Sequence, residues 1–280
     1  MDLTEEEFQR IRQTVYRLSG ISLAESKKQL VKSRLQRRIR ELNLTSYGEY
    51  ERLISGCKPD SDEVLQFINS ITTNKSDFFR ENHHFEFVVR QLIPELKASG
   101  QNRLKVWHAG CSTGDEVYSL GMAISEAAPG FQFVQLASDI DTNVLDFAQA
   151  AIYEEDKIRH VPEKLLKKWF LKGKGSRLGS YCAVQELRDH VTFRRVNLLD
   201  DPWPMKKETQ FDLIFCRNVL IYFDRQTQRR LFDRFHEKLN PGGYLILGHS
   251  ESMQGDVATY DYLGKTIYRA LPSRGVRQAA

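Results

Sequence analysis

The sequence predicts an α/β protein in which an all-α N-terminal unit precedes a doubly wound sheet carrying a small antiparallel β insertion. Three observations carry that prediction. From Leu104 onward short apolar runs alternate with helical periodicity, as in an open, mostly parallel sheet. Before it, residues 1 to about 70 show only the spacing of three and four that marks helices. Between Lys105 and Met122 an apolar strand (Leu104 to Ala109) turns through Gly110-Cys111-Ser112-Thr113-Gly114 into a helix with Asp115 and Glu116 in its first turn. A strand, a glycine turn and a helix start together are how an α/β sheet presents its first strand to a nucleotide.

Bulk composition bounds the class. At 280 residues the chain holds one large domain or two modest ones, and 41% hydrophobic with 28% charged residues is ordinary for a soluble globular protein. No run approaches the roughly 18 apolar residues of a membrane span. The acidic start, Met1 to Glu7, lacks the basic and apolar regions of a signal peptide. Cys57, Cys111, Cys182 and Cys216 are scattered without a C-x-x-C, which favours reduced thiols in a cytoplasm and argues against a metal site. A net charge of +4 is low for a nucleic-acid binder, and no helix-turn-helix pattern is present.

In chain order, Thr4 and Glu7 form a capping box before Phe8, Ile11, Val15 and Leu18, and Gly20 stops that helix. A second helix, about Ser26 to Leu42, stripes Val31, Leu35, Ile39 and Leu42 on one face. Its other positions carry Lys27, Lys28, Lys32, Arg34, Arg37, Arg38 and Arg40. Two readings stand for that basic face: a solvated surface, or a docking surface for an acidic partner. Ser46 with Glu49 opens a third helix, and Asp60 or Ser61 a fourth, built on Val64, Leu65, Phe67, Ile68 and Ile71. Polar residues from Thr72 interrupt the pattern before Phe78-Phe79-Arg80 and a helix running towards Leu96, with His83 and His84 on its surface.

Beyond the glycine turn, Gln132 to Ser138 is the second strand, and Thr142 caps a helix to about Tyr153. Val191 to Val196 and Phe211 to Cys216 are further strands. A helix from about Thr227 to Leu239 stops at Asn240-Pro241-Gly242-Gly243 before a strand at Tyr244 to Gly248, and Thr266 to Ala270 joins an edge hairpin. One segment, Trp169 to Val184, breaks the alternation with glycines at 173, 175 and 179, the pattern of tight turns in a small antiparallel insertion. The residues from Arg274 read as a loose tail.

Open α/β sheets bind ligands beyond the carboxyl ends of their strands. Gly110 to Glu116, Asp139 to Asp141, Asn197-Leu198 and Arg217-Asn218 converge there. The glycines stand four apart, with neither the Lys-Ser/Thr of a phosphate loop nor the G-x-G-x-x-G of a dinucleotide site. Their bare backbone and the free N–H groups of the helix start face the ligand. Acids crowd the place of a pyrophosphate, so a cationic ligand without phosphate fits better, and S-adenosylmethionine has that charge. Asp139 suits a ribose diol, whereas Asp141 is either a second ligand or the helix cap. Glu116 is either a contact or a favourable helix-start charge, and Asn197 either a contact or a turn residue.

The order and spacing of Thr72-Thr-Asn-Lys-Ser-Asp-Phe-Phe-Arg80, Cys111 to Ser119, Ala137 to Asp141, Asn197-Leu-Leu199, Phe215 to Asp224 and Gly248-His-Ser-Glu251 resemble the CheR family of chemotaxis receptor methyltransferases, over essentially the whole chain from Phe8 to Arg269. The resemblance implies an all-α receptor-docking domain (1–72), a linker contributing to the cofactor site (73–90) and a Rossmann-type class I methyltransferase domain (91–280) with a β-subdomain at about 165–190. It implies S-adenosylmethionine contacts from Asn74, Ser76, Arg80, Glu116, Asp139, Asn197, Leu198, Arg217 and Asn218, with Glu116 at the ammonium and Asp139 at the ribose. Ser76, His108 and Val117 depart from the family pattern; His108 stands where a small residue is usual and is expected to narrow the pocket.

The reaction the resemblance implies is methyl transfer to glutamate side chains of methyl-accepting chemotaxis receptors, giving methyl esters and S-adenosylhomocysteine for sensory adaptation. Because the acceptor is already ionised, no general base is needed, and Arg80 and Tyr222 are the candidates for holding it. The basic helix then gains a purpose in Lys32, Arg34, Arg37 and Arg38, which dock the acidic receptor coiled coil. The β-subdomain is a candidate tether for a receptor C-terminal peptide by β-augmentation. The protein is expected to be a cytoplasmic monomer without metal. Three rivals remain: a methyltransferase with another acceptor, a nicotinamide oxidoreductase, and a binding module without turnover.

Overall fold

The computed structural model describes residues 2–253 and 258–272; the tail expected from Arg274 lies outside the described residues. The N-terminal unit packs helices Glu5–Ser19, Lys28–Glu41, Tyr47–Gly56 and Asp62–Ile71 around Phe8, Ile11, Val31, Leu35, Ile39, Phe67 and Ile71. Its first helix starts as the sequence requires: Glu7 N–H donates to Thr4 Oγ1 at 3.2 Å and Thr4 N–H to Glu7 Oε2 at 3.1 Å. Tyr47, Tyr50 and Ile54, which the periodicity did not single out, complete the core.

Ten strands follow among the described residues: β1 Arg103–Ala109, β2 Gln132–Asp139, β3 Ile152–Glu154, β4 Phe170–Lys172, β5 Ser180–Ala183, β6 Val191–Arg195, β7 Phe211–Cys216, β8 Leu239–Leu247, β9 Tyr260–Gly264 and β10 Ile267–Ala270. Seven of them form one sheet in the order β6-β2-β1-β7-β8-β10-β9. The first five are parallel, and the β9–β10 hairpin joins antiparallel at one edge. Both faces are covered, one by Trp107, Ile214 and Phe235 and the other by Val106, Leu213, Phe215 and Phe85, so β7 is buried along its whole length. The order reverses between β2 and β7 on either side of β1, which opens a crevice at the carboxyl ends there.

Three expectations are corrected. The small sheet, ordered β3-β5-β4, recruits Ile152–Glu154 from a stretch read as the end of a helix; that helix stops at Ala150, and Ala151 turns left-handed. β8 begins at Leu239, so Asn240 to Gly243 lie inside a strand whose register shifts opposite Phe211 and Leu213. His84 is fully buried, with Nε2 at 2.9 Å from the Lys265 carbonyl, because the helix from His83 to Ala98, widened by a π turn at Val88–Leu92, packs that face onto the β9–β10 corner.

The helical unit closes directly over the sheet. Tyr16 Oη donates to Asp224 Oδ2 at 2.5 Å, Ser22 N–H to the Tyr222 carbonyl at 2.8 Å and Asn197 Nδ2 to the Leu18 carbonyl at 2.8 Å. Gly20 lies so close to Leu199 and Phe223 that a Cβ there meets them at 2.9 and 3.0 Å. Of the basic helix, Arg37 stands outward with its side chain 89% exposed. Lys32 pairs with Asp2, and Arg38 with Glu63 and Glu41. Arg34, expected on the docking face, turns inward instead. Its guanidinium donates to the Ile71 and Thr72 carbonyls at 2.7 Å each, because the end of the fourth helix leaves those acceptors open.

Candidate active site

A cleft of about 380 Å³ lies between the helical unit and the carboxyl ends of β1, β2, β6 and β7, within the usual size of a small-molecule site. The strand ends supply Gly110 to Ser112, Asp139, Asn197 with Leu198, and Arg217 with Asn218. The facing wall is Ser22, Leu23 and Ala24 with the linker from Thr72 to Asp77 and Arg80. Every residue expected at the cofactor lines this cleft, and so does Tyr222.

At the turn after β1 the glycine requirement is real, but its cause is packing. Gly110 has φ 96°, and a Cβ there would sit 2.3 Å from Val219 Cγ2. Gly110 and Cys111 N–H both donate to the Ser138 carbonyl at 2.8 Å, and Ser112 N–H donates to Asp139 Oδ2 at 2.9 Å. The N–H groups of residues 110–112 are therefore engaged by protein. Two carboxylates, Glu116 and Asp139, border the cleft, where they oppose a phosphate. That donor set fits a ligand with an ammonium and a ribose diol.

Asp139 and Asp141 separate cleanly. Asp141 Oδ1 caps the helix Thr142–Ala150 by accepting from Asn143 N–H at 2.9 Å, and Oδ2 accepts from Thr72 Oγ1 and Asn74 Nδ2 at 2.6 Å each. It anchors the linker and caps a helix at once. Asp139 is left facing the cleft, and burial pushes its carboxyl up to about 6 although Asp141 and Ser112 N–H groups oppose the shift.

The two first-turn acids also part. Asp115 is fully buried and pairs with Lys157 Nζ at 2.9 Å, and the same ammonium reaches the Ser76 carbonyl. Glu116 lines the cleft. Its Oε1 lies 2.7 Å from His108 Nδ1 and its Oε2 2.9 Å from Arg217 Nη1. Burial raises the Glu116 pKa, but His108 and Arg217 outweigh it and hold the carboxyl below its ordinary value. His108 itself is fully buried under the turn and lies outside the cleft, so it does not narrow the pocket.

Arg217 continues the network to the Arg80 carbonyl and to Glu81 Oε2 at 3.3 Å. Asn218 takes φ 58°, held by Glu251, which accepts from Asn218 and Gly248 N–H at 2.7 Å each and from Ile221 N–H at 3.2 Å. Asn197 has the turn role offered for it. Its Oδ1 accepts from Leu199 N–H at 3.0 Å as a turn residue does, while its amide clamps the helical unit at the cleft wall. Tyr222 is half-buried at the mouth with Oη 3.4 Å from the Thr73 carbonyl, and burial raises its phenol so that it stays a neutral donor. The Arg80 guanidinium lies 3.7 Å from Glu81 Oε1.

Glu81 and Glu251 escaped the sequence reading. Glu81 joins Arg80, Arg217 and His249, whose Nδ1 is 2.9 Å away. The only signal for Glu81 was its place directly after Arg80. Glu251 stood in a quoted motif, but its work on backbone N–H groups leaves no trace in side-chain chemistry.

A family profile described as CheR methyltransferase, SAM binding domain, matches residues 74–269, and one described as CheR methyltransferase, all-alpha domain, matches residues 6–72. The chain is 42% identical over 267 residues to chemotaxis protein methyltransferase 2 of Pseudomonas aeruginosa, covering 95% of this chain and 93% of that one. To the chemotaxis protein methyltransferase of Escherichia coli it is 39% identical over 269 residues, covering 95% and 91%. To that of Borreliella burgdorferi it is 33% identical over 277 residues, covering 96% and 95%. With both domains matched in order and the cleft formed where they meet, the chain belongs to the CheR family of S-adenosylmethionine-binding methyltransferases.

Proposed function

We propose that this protein methylates glutamate side chains of chemoreceptors, giving glutamate methyl esters that adapt a bacterial sensory pathway. The observation that carries the reading is the convergence of Glu116, Asp139, Arg80 and Tyr222 on one cleft under an all-α domain with a basic, outward Arg37. S-adenosylmethionine supplies an electrophilic sulfonium methyl. Asp139 accepts from its ribose hydroxyls, Glu116 takes the ammonium, and Asn74, Ser76, Asn197, Leu198, Arg217 and Asn218 form the remaining walls.

The acceptor needs no general base, since a glutamate carboxyl with an ordinary pKa of about 4.3 is ionised at pH 7. What the protein supplies is alignment and exclusion of water. Arg80 offers a guanidinium and Tyr222 a neutral hydroxyl at the same mouth, and together they hold one carboxylate with its oxygen towards the methyl. Lys32, Arg37 and Arg38 dock the acidic receptor helices. The outer strand β4, where Leu171 is 63% exposed, takes a receptor C-terminal peptide as an added strand. The protein works in the cytoplasm as a monomer.

The test is transfer of tritiated methyl from S-adenosylmethionine to purified receptor, read as base-labile ester at mapped glutamates. Arg80→Ala and Tyr222→Phe are expected to lower kcat at saturating cofactor. Unchanged turnover in both removes their role, and no base-labile label on any receptor with wild-type protein overturns the acceptor assignment.

A further inference from the structure

His108 is the one residue of the network that the family pattern does not lead one to expect, and it is built in tightly. It sits on β1 with no exposed surface, stacked on Phe215 with ring centroids 5.3 Å apart and planes 7° from parallel. Its Nδ1 lies 2.7 Å from Glu116 Oε1 and its Nε2 2.9 Å from Gln135 Oε1 on β2. Gln135 Nε2 is buried without a hydrogen-bond partner. Since an ionised Glu116 can only accept, His108 donates Nδ1–H to it whichever way the Gln135 amide is turned. The result is a buried line of side chains from Gln135 through His108 to the carboxylate.

Glu116 is thus held from two sides, by His108 on one oxygen and Arg217 on the other. The Arg217 bond comes from across the cleft end of the sheet, whereas the His108 bond comes from beneath, inside the sheet layer. One donor alone leaves the carboxylate free to swing about its last torsion, which is broad and weakly restrained. Two fix its plane. We propose that His108 is a positioning residue that sets the Glu116 carboxylate for the α-ammonium of an aminoacyl thionucleoside. It thereby sharpens the preference for ligands that carry that ammonium over those that lack it. The proposal rests on the reading that Glu116 takes the ammonium.

The experiment compares two ligands by calorimetry on the full chain: S-adenosylhomocysteine, and 5′-methylthioadenosine, which keeps the nucleoside and lacks the amino acid. His108→Leu fills the space without a donor, and His108→Asn keeps an N–H near the Nδ1 position. His108→Leu is expected to weaken S-adenosylhomocysteine by about tenfold, the scale of one charge-assisted hydrogen bond, and 5′-methylthioadenosine by less than about twofold. His108→Asn is expected to recover most of the loss. A merely structural role weakens both ligands alike, and that result overturns the proposal, as does full affinity in His108→Leu. Gln135→Leu, remote from the cleft, gives the same selective loss at smaller size and serves if His108→Leu does not fold; an equal effect on both ligands there is again refutation. Glu116→Gln separates the two layers. If it leaves the ratio of the two affinities unchanged, the ammonium reading has failed; if it abolishes the preference while His108→Leu keeps it, only the role of His108 has.

Discussion

With Asp139 at the ribose, cofactor binding is predicted to depend on pH, with a sign and a size that follow from its surroundings. Its carboxyl is pushed up to about 6 by burial, with the neighbouring Asp141 charge adding to the rise and the N–H groups of Asp141 and Ser112 opposing it. A vicinal diol donates to the ionised form, so protonation removes the binding-competent state. With a pKa of about 6, about 97% of Asp139 is ionised at pH 7.5 and about 9% at pH 5, and the apparent Kd scales inversely with that fraction. S-adenosylhomocysteine is therefore expected to bind about tenfold more weakly at pH 5 than at pH 7.5, with the loss centred near pH 6. Glu116 is shifted the other way, below its ordinary value, by His108 and Arg217. Calorimetry at constant ionic strength reads the effect, and 5′-methylthioadenosine, which retains the diol, follows the same curve. Asp139→Asn binds about 10- to 100-fold more weakly at pH 7.5, the cost of about 1.5–3 kcal/mol in hydrogen bonding to charge, and loses the slope. A flat affinity from pH 5 to 7.5, or the same slope in Asp139→Asn, refutes the reasoning.

The same buried carboxyl bears on stability with the opposite preference. Its folded pKa lies above the unfolded value, so the ligand-free protein gains stability as pH falls from about 6.5 to 5, by about 1 kcal/mol per unit at most, and thermal melting of wild type against Asp139→Asn checks it. Gly110→Ala combines a left-handed φ with a 2.3 Å contact to Val219 and is expected to cost about 2–4 kcal/mol in chemical denaturation; Val219→Ala in the same chain recovers the contact share. Arg34→Ala frees the Ile71 and Thr72 carbonyls and should lower both melting temperature and S-adenosylhomocysteine affinity, read by scanning calorimetry and titration. Arg37→Glu leaves that affinity alone and raises the receptor KM, more so at low salt than at high.

The elements whose side chains decide their own geometry were legible. The Thr4–Glu7 box, the left-handed stop at Gly20 and the apolar runs of β1, β2, β6 and β7 stand within a residue or two of where the sequence puts them. The cleft followed, since its walls are strand ends and an open sheet dictates where those converge. Illegible were features set by partners far along the chain. β3 spans only Ile152–Glu154, too short to show a period, and exists because β5 pairs with it. The inward turn of Arg34 depends on a helix end 37 residues later. His84 reads as a surface histidine until the β9–β10 corner covers it. Glu251 acts through three backbone N–H groups, and no spacing encodes that.

The linker ties the helical domain to the cofactor cleft. Between Thr72 and Arg80 it has no regular structure of its own, yet four separate elements grip it. Arg34 of the basic helix takes the Thr72 carbonyl, Asp141 takes the Thr72 and Asn74 side chains, Lys157 takes the Ser76 carbonyl, and Arg217 takes the Arg80 carbonyl. Two of those grips come from a residue bordering the cofactor cleft and from the cap of the helix after β2, one from the β-subdomain and one from the basic helix. A displacement of the basic helix therefore reaches the cleft wall through a single guanidinium and two carbonyls. Coupling between two bound partners is reciprocal in free energy. Under the proposed docking of a receptor on the basic helix, whatever that docking does to cofactor affinity through Arg34, cofactor binding returns to the receptor in equal measure.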